Sequence, residues 1–159
     1  MTVYAAIGAM FALMGGIVYY ASLDNTQLEQ VEVELANISV REVNTVENRA
    51  KLEVTFLVKN PSEKTFTVPV IGYKLFADGV MLGSGQYSTE DIAMPGRAVF
   101  YPGSEIPLKN TFVLNRADVS QSIYDAVLNE QVTTFSAEGN VTSETSWSIV
   151  EKDFVTEMN

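Results

Sequence analysis

The chain has no cysteine and no histidine among its 159 residues, only 5 prolines, and 10 lysines and arginines against 20 aspartates and glutamates. Each shortage excludes something. Without cysteine there is no disulfide framework, so the fold must be held by its own core. Without cysteine or histidine the usual zinc, copper and haem ligands are missing, as is the imidazole base of hydrolase triads. The expected catalytic, metal and cofactor-binding residues are therefore none, and the chain is read as a non-enzyme. A net charge of −10 sets the field against phosphate backbones and anionic lipid headgroups alike, which removes nucleic acid from the expected partners.

Charge is also missing altogether from residues 3–23, an apolar run with no second of its kind in the chain. At about 1.5 Å rise per residue the run makes roughly 31 Å of helix, close to the ~30 Å hydrocarbon layer of a bilayer. Tyr4 stands at one end and Tyr19 with Tyr20 at the other, where amphipathic rings favour the headgroup level. Residues 1–23 are read as a single transmembrane anchor helix and residues 24–30 as a polar tether. A cleaved signal peptide would have a basic start, an apolar core of about 7 to 15 residues and a small-x-small cleavage site. The sequence has none of these, so retention is expected.

Orientation rests on weaker signs, because the first basic residue is Arg41 and the flank carries Asp24, Glu29, Glu32 and Glu34. The expected arrangement has the N-terminus inside and the domain on the extracytoplasmic side. Absent cysteine, negative charge and two glycosylation sequons, at Asn37 and Asn140, support it. Asn60-Pro61-Ser62 is excluded by its proline. Gly8, Ala12 and Gly16 recur every four residues along the run, a stripe on which a second helix can approach closely. The strong inserters contribute only roughly 2 to 4 kcal/mol together. The expected partners are thus the lipid bilayer and helices of integral membrane proteins.

About 130 residues remain, enough for one domain. Val31, Val33 and Leu35 alternate with Glu32 and Glu34, and the apolar phase resumes at Ile38 and Val40, so a β-bulge is expected near Ala36 or Asn37. Leu52, Val54, Phe56 and Val58 alternate with Lys51, Glu53, Thr55 and Lys59 until Asn60-Pro61 stops the strand. Asp78-Gly79 suits a type I′ hairpin pairing Ala77 with Val80, Leu75 with Leu82 and Tyr73 with Ser84. Pro95-Gly96 and Pro102-Gly103 read as turns around a strand at 98–101, and Ile106, Leu108, Phe112 and Leu114 as an edge strand bearing Pro107. A helix is expected over 116–128, capped by Asn115, with Val119, Ile123, Ala126 and Val127 along its buried stripe. Strands at 132–137 and 145–150, joined through a turn at Gly139-Asn140 and bearing Trp147, complete a domain over 31–150. Residues 151–159 are read as an acidic tail.

The fold class is therefore mainly β: an immunoglobulin or fibronectin III-like β-sandwich with one short helix, after a single transmembrane helix. The pattern Leu52-x-Val54-x-Phe56-x-Val58-x-Asn60-Pro61, with Tyr73-x-Leu75 and Asp78-Gly79-Val80-x-Leu82-Gly83-x-Gly85, resembles the late embryogenesis abundant type 2 domain. This is the LEA14-like family of water stress and hypersensitive response (WHy) proteins. The resemblance spans residues 31–150, and Phe135 to Val141 suits its penultimate strand. It implies a seven-stranded sandwich with a helix, found in membrane-anchored stress proteins, without enzymatic activity or a family active site.

Single residues have plainer roles beside sharper ones. Asn60 caps a strand end. Glu90 and Asp91, or Glu151, Asp153 and Glu157, lack the spacing of a calcium loop and read as solvated surface. Trp147, Phe154 and Tyr87 read as core. The leading function is an anchored extracytoplasmic sandwich acting through protein contacts in stress protection or envelope organisation. A rival is a single-span accessory subunit of a respiratory, mono-oxygenase or similar membrane enzyme complex. A third reading is a sandwich binding lipid or a small ligand, for which a cavity between the sheets is required.

Overall fold

A computed structural model describes residues 2–89 and 97–158. The elements are α1 (Thr2–Leu28), β1 (Glu32–Asn44), β2 (Arg49–Lys59), β3 (Phe66–Ala77), β4 (Val80–Ser88), β5 (Val99–Phe100), β6 (Glu105–Asn115), α2 (Gln121–Leu128), β7 (Phe135–Glu144) and β8 (Ile149–Met158). Two antiparallel sheets face each other. One has the order β1-β2-β6 and the other β4-β3-β7-β8, with the short β5 beside β3. This is the β-sandwich preceded by an apolar helix that the residue pattern predicts.

Period-two alternation builds the core. Leu52, Val54, Phe56 and Val58 of β2 are fully buried, and Ile71, Tyr73, Leu75 and Val141 meet them from the other sheet. Phe56 lies edge-on to Tyr73 at 4.8 Å and to Phe154 at 5.9 Å, so aromatic rings fill this part of the space between the sheets. Tyr87 is buried too, whereas Thr55, on the charged phase of β2, is buried rather than solvated. The β1 bulge falls at Ala36, skipped between the pairs Leu35–Phe56 and Asn37–Thr55, and a second interrupts the strand at Arg41. Pro107 sits on β6, an edge strand, opposite Leu57. The Pro102-Gly103 turn forms, with Gly103 at φ 74° and Ser104 N–H donating to Tyr101 O at 2.9 Å.

Several expectations are corrected. Asp78 and Gly79 take the positive φ values, 46° and 80°, that the hairpin turn requires. Its register holds only at Ala77–Val80. Leu82 is bulged out, so that Leu75 pairs with Gly83 and Tyr73 with Gly85. The second helix begins at Gln121, not 116, because Ser120 supplies the cap: its hydroxyl accepts from the Ile123 N–H, while Asn115 and Asp118 form a separate turn. Tyr124 and Val127 are its buried residues.

No turn occurs at Gly139-Asn140. Both residues lie inside β7, opposite Tyr73 and Gly72 of β3, and the glycine serves close backbone approach instead. The β7–β8 turn is at 145–148, and the expected acidic tail is strand β8, paired with β7 from Ile149 to Met158. Trp147 is on that turn and exposed, not in the core. The expected tether is also replaced, since α1 continues to Leu28. Glu90, Asp91 and Pro95-Gly96 lie outside the described residues.

Candidate site at the junction of helix and sandwich

Among the described residues one helix, over Val3–Leu28, is long and apolar enough to cross a membrane, with a mean hydropathy of 1.7 and no part of its apolar window buried. Its last turn changes character. Leu28 is fully buried and belongs to the sandwich core, next to Val31. Three polar contacts hold this end. Gln27 Oε1 accepts from the Glu63 N–H at 3.2 Å, and Lys152 Nζ donates to Val31 O at 2.7 Å. Ser143 Oγ, completely buried on β7, lies 3.3 Å from Leu28 O and 3.4 Å from Val150 O. The Leu28 carbonyl has no partner inside the helix; it accepts from the Val31 N–H at 3.3 Å, and the buried Ser143 hydroxyl adds a second contact.

The loop after β2 frames the same end. Asn60 is buried, and its amide donates to Lys64 O at 2.7 Å and Phe100 O at 2.9 Å, while Oδ1 accepts from the Ser62 N–H and hydroxyl. Pro61 stops the ladder and Asn60 ties three segments together, which is the capping role expected of it. Close by, the Glu34 hydrogen bond at 2.7 Å holds the Lys59 ammonium above the ordinary lysine range.

The β7–β8 turn completes the junction. Thr145 N–H donates to Ser148 O at 2.9 Å, and Thr145 Oγ1 accepts from the N–H groups of Trp147 and Ser148 at 3.3 and 3.1 Å. The turn is therefore fixed by Thr145, through its backbone N–H and its side-chain hydroxyl. Trp147, Ser148 and Ile149 share a cavity of about 370 Å³ with Val18, Ser22 and Asn25 of α1.

Other candidates sit elsewhere. Gly8, Ala12 and Gly16 lie on the exposed part of α1, and a Cβ on either glycine would meet nothing within 4 Å. Asn37 is exposed just after the β1 bulge, and Asn140 is exposed in the middle of β7. Glu151, Asp153 and Glu157 alternate along the outer phase of β8, and no group of three metal-ligating side chains occurs among the described residues. A depression of about 560 Å³ forms an open trough across the outer face of β3, β4, β7 and β8, lined by Gly72, Lys74, Ser84, Glu138 and Asn140 among others. Inside the sandwich, Asn110 donates to the Tyr73 hydroxyl at 2.8 Å, linking the two sheets. Burial pushes the Tyr73 phenol up to about 12, a rise that the Asn110 hydrogen bond opposes.

No arrangement of nucleophile, base and acid is among these groups. The junction fastens the end of the helix to the sandwich through one packed side chain and a few polar contacts. Sequence reasoning missed Leu28, Ser143, Lys152 and the exposure of Trp147. The available signal was the setting of Trp147 among Thr145, Ser146 and Ser148, residues of a turn rather than of a strand.

No protein-family model matches the chain, and no curated protein matches it by sequence. Solved structures do match by shape. An Archaeoglobus fulgidus protein is 16% identical over 80% of this chain and 94% of its own, with a TM-score of 0.50. AT1g01470 of Arabidopsis thaliana is 12% identical over 80% of each chain, with a TM-score of 0.54. A protein described as a late embryogenesis abundant candidate is 13% identical over 95% of this chain and 85% of its own, with a TM-score of only 0.44. The first two likenesses show a shared fold.

Proposed function

We propose that this chain is a membrane-anchored, non-enzymatic β-sandwich of the type 2 late-embryogenesis kind. It would act through protein contacts in stress protection or envelope organisation, with the sandwich on the extracytoplasmic side. The observation that carries the anchoring is Leu28: the apolar helix ends as a core residue of the domain. A segment built into the domain core suits a retained span better than a leader to be discarded. The motif around Asn60 supports the family reading, because its side chain organises the loop that the pattern predicts.

Alkaline carbonate washing of membranes, followed by N-terminal sequencing of the retained protein, tests the anchor. The expected result is an intact chain that stays with the membrane. Release into the wash, or a new N-terminus beyond residue 20, would overturn it. The accessory-subunit reading draws on the small-residue spacing of Gly8, Ala12 and Gly16, which would let a partner helix approach closely. Changing Gly8 and Gly16 to Leu should leave insertion intact and weaken the recovery of partner proteins in mild detergent. Unchanged recovery of the same partners would sink that reading.

A further inference from the structure

We infer that the β7–β8 turn is a second membrane contact, with Trp147 and Ile149 seated in the interfacial layer of the bilayer that α1 crosses. The inference rests on the reading of α1 as a span. Single exposed apolar residues are ordinary on protein surfaces. These two differ in degree and in place. Trp147 is 83% exposed and Ile149 69%, on a turn whose backbone is fixed by Thr145.

Their height along the helix is set by the fold. Ser143 against Leu28 O and Lys152 against Val31 O fasten the β7–β8 hairpin to the end of α1, and the turn then borders Val18 and Ser22. Val18 is next to Tyr19 and Tyr20, and the uncharged run closes at Leu23. The indole therefore stands at the level of the tyrosine pair, the headgroup boundary where an amphipathic ring is most favourable. Tyr101, exposed on the β5–β6 turn, stands at the same end of the sandwich, since Phe100 and Glu144 pair with the adjacent residues Phe66 and Thr67 of β3.

Charge specifies the kind of lipid contact. The turn is flanked by Glu144, paired with Arg97 at 3.5 Å, and by Glu151, with no cluster of basic residues beside it among the described residues. The contact is thus apolar and aromatic. It needs no anionic lipid and should be indifferent to salt.

Trp147 is the one tryptophan of the chain, so its fluorescence reports the site directly. The full chain is reconstituted in phosphatidylcholine vesicles at high lipid excess and compared with vesicles whose acyl chains are brominated near the glycerol end. The expected emission is blue-shifted from that of the chain unfolded in guanidinium, strongly quenched by the brominated lipid, and the same at low and high salt. Ile149→Asp should shift the emission to the red and reduce the quenching, while the chain stays resistant to an alkaline wash. Emission typical of an indole in water, unquenched by brominated lipid in chains that resist the wash, would overturn the second contact and leave the span standing. Loss of the chain in the wash would overturn both. A blue shift without lipid quenching that fades as lipid is added would assign the turn to contact between copies and overturn the inference as well.

Discussion

Across the outer face of β1, β2 and β6, Arg41 and Lys109 converge on Glu53 at 2.6 and 3.2 Å, and Lys51 reaches Glu42 at 2.7 Å. Across β4, β3 and β7 the chain is thin instead, with Gly72, Ser84 and Gly85 flooring an open trough. The first sheet is covered by its own long side chains. The second brings backbone against backbone. Tyr73 of β3 has a glycine opposite it on each neighbour, Gly85 and Gly139, and a Cβ on Gly85 would stand 2.5 Å from the tyrosine ring. Side chains on a solvated face can be exchanged at little cost, whereas a missing side chain at a close approach cannot be supplied.

The sharpest way to break this contrast is Gly139→Val. A Cβ there collides with the Gly72 carbonyl oxygen, which is backbone and cannot rotate away. We expect a loss above about 4 kcal/mol, or no folded protein at all, by urea unfolding in mild detergent. A folded variant of near wild-type stability would show that the two sheets tolerate change equally. Phe56→Ala removes a fully buried ring that both sheets share and should cost about 3 to 5 kcal/mol in the same assay.

Alkali acts through the second sheet. The Tyr73 phenol ionises near 10 in an unfolded chain and is held at about 12 here, so the folded state is favoured in full below pH 10 and loses that advantage as pH rises toward 12. The loss should be on the order of 2 to 3 kcal/mol, read as a falling urea midpoint, and Tyr73→Phe should flatten this part of the profile. An unchanged slope in that variant would place the titration elsewhere. The smallest effect belongs to the first sheet. Hydrogen bonds from Arg41 and then Lys109 hold Glu53 below the usual carboxylate range, so their support is present above the unfolded pKa and is lost as pH falls through the folded one. Glu53→Gln should weaken the fold slightly at low salt and not at all at high salt.

The same contrast decides what the sequence disclosed. In β2 every inward position is apolar and four of the six outward ones are charged, so strand, face and the β1 bulge could be read directly. In β8 the inward positions near β1 include Lys152 and Thr156, which serve Val31 O and the Leu35 N–H rather than the core. Their polarity erased the alternation, and the strand looked like a tail. Gly139 carries a turn residue's chemistry for a packing reason. Glycine alone does not say which. The register of the β3–β4 hairpin was hidden by the bulge at Leu82: Gly83 beside it, at φ 145°, marks a bend, but a strand glycine does not say which residue is left unpaired. At the candidate junction the apolar run, the tyrosines and Asn60 were legible. Leu28 was not, because one leucine after a polar stretch gives no periodicity.

Leu28 works as a rivet. Torque applied to the helix passes into the sandwich core through a packed side chain and three polar fastenings, with no slack segment to absorb it. Tilting the rod therefore swings the whole body mounted on it, and the set of the helix becomes the aim of the domain.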